Sequence, residues 1–362
     1  MRPRRRRRAG LARTVAAAAA VVALLGACAA DERVDGSGGT AVPPADATPG
    51  TDPTDGTAPP TATHASGPSA GCGAVDVTVG GTTEEQIRSG GLDRSYQLIV
   101  PAGIDGSEPL PIVLGLHSLT VDHRIVPAMS GFGDLAATRP FIGVSPSGRL
   151  NAGGLPYWDA SPVPDNADVT FLADLLDHLE ATRCVDTGQV FSMGMSNGAQ
   201  LSSLLACRLP DRIRAIAPIA GVEQNEPCDG GPVPVIAFHG DADPIVPYGG
   251  GGLDSVTIAD QNLYRGSVPP GTAEPTGVDE SMRRWAAHNG CDPDGVDEQV
   301  APHVHKRTWS GCEAATELYV VEGAGHTWPG KPQPAFEAQF GPGTTEIDAS
   351  ALAFAFFFDQ RP

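Results

Sequence analysis

The sequence has few basic residues, and its N-terminal apolar run is too short to span a bilayer readily. Its 362 residues include 24 Lys and Arg against 43 Asp and Glu, which gives a formal net charge of −19 at pH 7. This acidic excess argues against nucleic acids and anionic membrane surfaces as partners. The chain also lacks an internal repeat, and its cysteine spacings do not resemble a zinc site. We therefore expect no metal and no organic cofactor.

The first 27 residues have the pattern of an export signal. Six of residues 2–8 are arginines, and residues 14–25 are apolar. They are followed by Leu25-Gly26-Ala27-Cys28, which resembles a bacterial lipobox. We expect residues 1–27 to be a lipoprotein signal peptide and Cys28 to carry the lipid. The alternative is an ordinary secretory signal cleaved near Ala30, and either the general or the twin-arginine route remains open.

The rest of the chain divides into a tether and one domain. Residues 28–70 are mostly Pro, Thr, Ala, Gly, Ser and Asp, which cannot bury a core, so they predict a disordered tether. Residues 71–362 are long enough for one large domain. Without residues 1–27 the chain has 17 basic and 43 acidic residues, a net charge of −26. We expect a monomer on the outer face of the cell membrane, held there only by its lipid, or a secreted protein.

Six cysteines follow Cys28, and an even number in an exported chain predicts three disulfides. Cys291 and Cys312 flank one excursion before the last predicted strand and form the favoured pair. A Cys184–Cys207 pair is conceivable because both residues belong at the lower edge of the sheet. A Cys207–Cys228 pair competes with it. The sixth cysteine is Cys72.

A strand, a sharp turn and a helix meet at residues 189–209. Residues 189–193 predict a short buried strand, and leucines recur at helical spacing from residue 201 until Pro210 ends the helix. Between them lies Gly194-Met195-Ser196-Asn197-Gly198, a G-x-S-x-G sequence, which is typical of a nucleophile elbow in this context. We predict Ser196 to be a nucleophile, with the backbone N–H of Asn197 favouring negative charge beside it. A second match around Ser69 has neither a strand before it nor a helix after it.

Strands alternate with helices along the whole domain. The predicted strands are residues 95–100, 111–117, 141–144, 189–193, 213–219, 233–238 and 317–321. The predicted helices are residues 126–138, 167–181, 197–209, 278–288 and 347–358. This alternation indicates an α/β fold with a parallel sheet, right-handed crossovers and ligands at the carboxyl ends of the strands.

Two of these strand ends carry candidates for proton transfer. Residues 239–244 place two aspartates in a tight turn, and we prefer Asp243 as the acid that orients a histidine. Asp241 competes with it, and its other interpretation is capping of the turn. His326 lies in a glycine-rich loop, residues 323–330, and is the candidate general base. The order Ser196, Asp243, His326 is that expected of an α/β-hydrolase.

The loop after the predicted strand 111–117 is expected to complete an oxyanion site. The backbone N–H of Leu119, or failing that of Ser118, is the candidate second donor. We interpret His117 as a structural residue that packs this loop. His303 and His305 lie in a polar excursion and are expected to be solvent-exposed.

Several motifs in order resemble one family of extracellular esterases. They are Gly-Met-Ser-Asn-Gly at 194–198, His-Gly-x-x-Asp-x-x-Val-Pro-Tyr at 239–248 and Gly-His-x-Trp-Pro-Gly at 325–330. The family holds polyhydroxybutyrate depolymerases and feruloyl or acetylxylan esterases. The resemblance implies an α/β-hydrolase fold, with a mostly parallel central sheet and helices on both faces. It also implies that Ser196, Asp243 and His326 form the triad. One departure is Ser118, where many members have glycine.

The expected function is therefore ester hydrolysis through an acyl-enzyme. We expect oligoesters of the polyhydroxybutyrate type as substrates, with feruloyl or acetylxylan esters of plant polysaccharide as the alternative. A non-catalytic surface lipoprotein that binds a polymer is the alternative of another class. Tyr157, Trp158 and Trp328 are expected to line the substrate cleft, and residues 247–277 to form its rim or lid.

Overall fold

The computed structural model of the protein describes residues 67–73, 80–151, 153–224, 228, 230–251 and 276–360. Its strands are β1 (Gly81–Ser89), β2 (Leu92–Val100), β3 (Leu110–Leu116), β4 (Ile142–Pro146), β5 (Arg149–Leu150), β6 (Pro156–Tyr157), β7 (Val185–Met195), β8 (Ala215–Ile219), β9 (Val235–Gly240), β10 (Val296–Ala301), β11 (Val304–Thr308) and β12 (Thr316–Val321). Its α-helices are α1 (Val126–Ser130), α2 (Phe132–Thr138), α3 (Ala167–Thr182), α4 (Asn197–Arg208), α5 (Val278–His288), α6 (Glu337–Phe340) and α7 (Ala349–Asp359). None of these helices is long and apolar enough to cross a membrane.

One large sheet carries the fold. Its strand order is β1-β2-β4-β3-β7-β8-β9-β12-β11-β10, while β5 and β6 form a separate small hairpin. The six central strands, from β4 to β12, run parallel. The outer strands at both edges are antiparallel. The α/β class predicted from the alternation is therefore confirmed, with a mixed sheet.

Helices cover both faces of the sheet because the buried strands are apolar on both sides. In β3, Ile112 and Leu114 belong to a core that includes side chains of α3, α4 and α5. Val113, between them, belongs to a second core with Phe132 of α2 and Phe357 of α7. The strand alternates between two cores, as its period of two requires.

The structure differs from the predicted elements in one helix and several strands, and the short elements β5, β6 and α6 were not predicted either. The helix predicted over residues 126–138 is two helices, because Gly131 between them has φ 72 and ends α1 in a left-handed conformation. The strands β1, β10 and β11 were not predicted. β1 and β10 are edge strands with mostly exposed, polar residues, so they lack the apolar pattern that marks a buried strand. His303 lies beside β11 with its side chain 64% exposed and bonded to Glu346.

The N-terminal boundary of the folded region lies earlier than residue 71. Ser69 donates its N–H to the carbonyl of Val185 at 2.9 Å, and its hydroxyl bonds the carbonyl of Arg183 at 2.6 Å. Pro68 pairs with Asp186 at the start of β7. Residues 67–73 thus pack against the amino end of a central strand. The predicted signal peptide, Cys28 and the rest of the predicted tether lie outside the described residues.

Three disulfides join the six cysteines: Cys72–Cys184, Cys207–Cys228 and Cys291–Cys312. The favoured Cys291–Cys312 pair and the Cys207–Cys228 alternative are confirmed. The Cys184–Cys207 alternative is wrong, because residues 67–73 bring Cys72 next to Cys184. Cys207, near the end of α4, faces Cys228 instead.

Candidate active site

Ser196 lies in the turn between β7 and α4, with a backbone conformation that side chains rarely adopt. Its φ is 58° and its ψ is −122°. Its N–H donates to the carbonyl of Ile219 at 2.9 Å, which fixes the turn against β8. The residue is 5% exposed. The strand–turn–helix predicted from residues 189–209 is present, with Ser196 at its apex.

The glycines on both sides of Ser196 are required by close contacts. A Cβ on Gly194 would lie 2.6 Å from the backbone of Gly198, and a Cβ on Gly198 would lie 2.4 Å from the carbonyl oxygen of Leu116. Both contacts are too short for any side chain and involve backbone atoms. The turn can therefore close against β3 only with glycine at these positions.

His326 and Asp243 form a buried hydrogen-bonded pair. His326 Nδ1 lies 2.7 Å from Asp243 Oδ2. A carboxylate can only accept, so Nδ1 carries the hydrogen and Nε2 is left as the nitrogen that can take a proton. The other oxygen of Asp243 accepts the backbone N–H groups of Ile245 and Val246 at 2.8 and 2.9 Å.

Electrostatics keep Asp243 ionised. Burial alone would raise the pKa of this carboxyl group. The charge of His326 and the hydrogen bonds from His239 and His326 outweigh burial and hold the pKa well below its ordinary value. Asp243 is thus a fixed negative charge beneath His326 at neutral pH.

Asp241 has a different environment. It is exposed, and its Oδ1 accepts the N–H of Gly323 at 2.6 Å. It joins the turn after β9 to the loop that carries His326, which is a contact between loops and not the predicted capping of its own turn. Of the two aspartates in the turn, Asp243 is the one that bonds His326.

The loop with His326 is held by the segment after α6. His326 donates its N–H to the carbonyl of Phe340 at 2.6 Å, and Gly325 donates to the carbonyl of Pro342 at 2.9 Å. A Cβ on Gly325 would lie 1.9 Å from the Phe340 oxygen. A glycine before the histidine is therefore needed for this backbone contact.

Ser196 and His326 line one cavity of about 190 Å³. Leu119, the predicted second oxyanion donor, lies in its wall. Other apolar walls come from Met129, Met195, Ile245, Trp328 and Phe340, and polar ones from Thr120, Lys331, Gln333 and Gln339. Lys331 was not among the residues predicted for the site. A signal was available, because it is one of only two lysines in the chain and follows His326 by five residues.

Of the three aromatic residues expected in the cleft, Trp328 lies in this wall. Its indole N–H donates to Ser350 at 2.9 Å. Trp158 and Tyr157 are not among the described residues that line the cavity. The indole of Trp158 instead turns inward, where it stacks on His117 at 4.7 Å and donates to the His117 carbonyl at 3.0 Å. Most of the predicted lid, residues 252–275, lies outside the described residues.

His117 and Asn197 hold the loops around the cavity. His117 donates from Nδ1 to the carbonyl of Ser118 at 2.8 Å, and its Nε2 accepts the N–H of Gly148 at 2.8 Å. Burial lowers the pKa of His117 to about 4, so it is neutral at physiological pH. The side chain of Asn197 bonds both the N–H and the carbonyl of Trp158, at 2.7 and 3.0 Å. The structural role predicted for His117 agrees with these contacts.

The described residues contain no group of three or more His, Cys, Asp or Glu side chains that could hold a metal ion. Ser196 is buried at a helix N-terminus and lines the same cavity as a histidine bonded to a carboxylate, an arrangement suited to acyl transfer. The chemistry that it supports uses protons and a covalent bond to serine.

Comparison with known proteins assigns the class of enzyme. No protein-family model matches the chain. Feruloyl esterase C of Emericella nidulans is 30% identical over 268 residues, which cover 71% of this chain and 83% of that protein. The chain belongs to the same esterase family. Feruloyl esterase D of Neurospora crassa is 27% identical to this esterase over 299 residues, which cover 78% of this chain and 89% of that one.

A solved structure supports the fold of this esterase. The acetyl xylan esterase from Aspergillus awamori matches it with a TM-score of 0.50 and 17% identity. The match covers 68% of this chain and 94% of that chain. At this identity the likeness shows a shared fold alone. The similarity to the feruloyl esterases confirms the expectation that the protein is a carboxylic ester hydrolase.

Proposed function

We propose that this esterase works by two-step acyl transfer with Ser196 as nucleophile, His326 as general base and Asp243 as the acid that orients it. His326 Nε2 takes the Ser196 proton as the hydroxyl oxygen attacks the ester carbonyl, and returns it to the leaving alcohol. Water then attacks the acyl-enzyme by the same route. The carrying observation is the 2.7 Å bond from His326 Nδ1 to Asp243, in a cavity that Ser196 also lines.

The N–H groups of Asn197 and Leu119 are the proposed oxyanion donors. Asn197 is the first residue of α4, where an N–H has no partner within the helix. Ser118 donates its hydroxyl to the carbonyl of Met195 at 3.3 Å. Its side chain therefore points to the strand before Ser196. Each donor contributes on the order of 3 kcal/mol to the transition state.

For the substrate, we favour feruloyl or acetyl esters attached to plant polysaccharide. The support is the similarity to feruloyl esterases C and D. The largely apolar cavity, with Met129, Trp328 and Phe340 in its wall, suits an aromatic acyl group. This reverses the order of preference reached from the sequence.

A second candidate is an oligoester of 3-hydroxybutyrate, and Lys331 is the observation that favours it. A linear oligomer ends in a carboxylate, whereas methyl ferulate is neutral. Lys331 lies in the cavity wall, 35% exposed, with its ammonium 3.4 Å from the carboxylate of Asp348. A cation in the cavity wall attracts an anionic substrate, which the net negative charge of the chain would otherwise repel.

The test compares kcat/KM for methyl ferulate and for a 3-hydroxybutyrate trimer, using the full exported chain. Ser196→Ala is the blank and is expected to be inactive on both. Faster turnover of methyl ferulate supports the first candidate, and faster turnover of the trimer supports the second. A Ser196→Ala enzyme with full activity on either ester contradicts the proposed mechanism.

Lys331→Met and Asp348→Asn then test the cation. If the trimer is a substrate, Lys331→Met should lower its kcat/KM about tenfold, as for loss of a charged hydrogen bond. Methyl ferulate should be unaffected. Asp348 caps the N-terminus of α7 by accepting the N–H of Ala351 at 3.0 Å. Asparagine can keep this cap but carries no charge, so Asp348→Asn removes the ionic partner of Lys331. It should raise the trimer's kcat/KM. Equal effects on both esters would exclude charge recognition.

We further propose that the enzyme is an exported lipoprotein with its lipid on Cys28, and a monomer. Three disulfides among the described residues support an oxidising compartment. Cells fed labelled palmitate should label the wild type and not Cys28→Ala. Equal labelling of both would contradict the anchor.

A further inference from the structure

A second histidine contacts the carboxylate of Asp243. His239 is the last residue but one of β9, and its Nε2 lies 2.9 Å from the carbonyl oxygen of Val246. The same nitrogen lies 3.4 Å from Asp243 Oδ2, the oxygen that His326 bonds. Both side chains, of His239 and of Asp243, are fully buried.

These contacts fix the tautomer of His239. A carbonyl oxygen can only accept, so Nε2 carries the hydrogen, bonds Val246 and lies 3.4 Å from the carboxylate of Asp243. Nδ1 is then the acceptor, and within the described residues it is buried without a hydrogen-bond partner. An unmet buried acceptor disfavours the fold. The group through which His239 can act on Asp243 is therefore its Nε2–H.

We propose that His239 is a positioning residue for the triad. Its Nε2–H holds Oδ2 of Asp243 in line with His326 and takes up part of the negative charge that would otherwise act on His326. With the N–H groups of Ile245 and Val246 on Oδ1, the carboxylate has donors on both oxygens. The proposal rests on the proposed function, in which Asp243 acts through His326.

The other charged and titratable groups around the pair are few. The ring of Tyr248 meets that of His239 edge-on at 5.9 Å, and its hydroxyl bonds Asp279, which pairs with Arg307. Burial raises the pKa of Tyr248, so it stays neutral in the assay range. Asp241 bonds the loop of His326, and Lys331 lies in the cavity wall. Ser196 lines the same cavity as His326.

The test measures how fast a fluorophosphonate probe labels Ser196 between pH 5 and 9, so no substrate has to be known. In His239→Leu, Asp243 should act more strongly on His326 and stabilise its protonated form. The acidic limb of the labelling profile should move up by about half a pH unit, and the plateau rate should fall several-fold. His239→Gln, whose amide N–H can reach the same oxygen, should restore most of both.

His288→Leu is the matched control. The Nε2 of His288 also bonds a backbone carbonyl, that of Gly231 at 3.0 Å, and its ring packs on Trp285 rather than on the triad. It should leave the profile unchanged. If His239→Leu does not fold, His239→Asn, whose amide is too short to reach Asp243, takes its place.

An unchanged acidic limb in a folded His239→Leu or His239→Asn enzyme would overturn the proposal, since His239 would then only pack. An equal shift in His288→Leu would overturn it as well. Failure of the proposed function is separate, because it requires probe labelling or ester turnover that persists in Ser196→Ala.

Discussion

At the scale of single residues, Ser196 has a strained backbone conformation that its neighbours impose. Its φ of 58° and ψ of −122° lie in a region that glycine adopts readily and residues with a Cβ do not. Such a conformation costs on the order of 1–3 kcal/mol. The turn persists because β3, β8 and the flanking glycines determine it. In the proposed mechanism, that strain is what lifts the hydroxyl out of the sheet.

Ser196→Gly should therefore be more stable than Ser196→Ala, by about 1 kcal/mol. Both lack the hydroxyl and should be inactive, so any difference reflects the backbone. Urea unfolding followed by fluorescence measures it. Equal midpoints, or a less stable glycine variant, would mean that the surrounding structure relaxes around the Cβ.

Ser196, Asp243 and His326 could be predicted as candidates because each follows a predicted strand in a turn with glycine or proline. The sequence could not place Trp158 or Lys331. The direction of those side chains depends on contacts with distant residues, such as the stacking of Trp158 on His117. The pattern favoured Asp243 but did not exclude Asp241, because both belong to one turn.

At the scale of elements, the buried strands and helices were predictable and the edges were not. β3 and β8 are apolar throughout, and β7 and β9 are buried along almost their whole length. α5 spans the predicted residues 278–288. β10 is paired to β11 only along one side and is exposed along most of its length. Its pairing depends on backbone hydrogen bonds, which leave no periodicity in the side chains.

The loop after β3 depends on one neutral histidine that joins three elements. His117 bonds the backbone next to it and that of Gly148, and stacks on Trp158 beside β6. Because both ring nitrogens are engaged in one tautomer, a second proton on the ring would break the bond to Gly148.

Acid should consequently destabilise the fold through His117. Burial lowers its pKa from 6.5 to about 4, so between these values the unfolded chain binds a proton that the folded chain does not. The contribution of His117 to the free energy of unfolding is complete above pH 6.5 and is lost as the pH falls towards 4. At pH 5 the loss is about 2 kcal/mol. Urea unfolding at pH 7 and 5 should show a smaller loss in His117→Asn than in the wild type. Parallel losses would assign acid sensitivity elsewhere.

At the scale of the whole molecule, the disulfides close loops of very different length. Cys72 and Cys184 are 112 residues apart, whereas Cys291 and Cys312 are 21 apart. The long loop includes β1 to α3 and ties the segment at residues 67–73 to the sheet. Chain entropy makes the longer loop the more stabilising one.

Replacing both cysteines of the Cys72–Cys184 pair with alanine should lower the free energy of unfolding by about 5 kcal/mol, against about 3 kcal/mol for the Cys291–Cys312 pair. Urea midpoints of the two double variants, with the wild type as reference, measure this order. A larger loss from the short loop would show that local packing outweighs chain entropy.

Pro68 is paired with Asp186, near the start of β7, and Ser196 follows the far end of that strand. Ten residues of extended chain separate Asp186 from Ser196, which is about 33 Å. A lipid, a resin or a fusion partner attached to the chain before Gly67 is therefore joined to the end of the sheet opposite the cavity. A support joined directly to Gly67 would lie nearer to the amino end of β7 than to the cavity, which would leave the cavity accessible to large substrates.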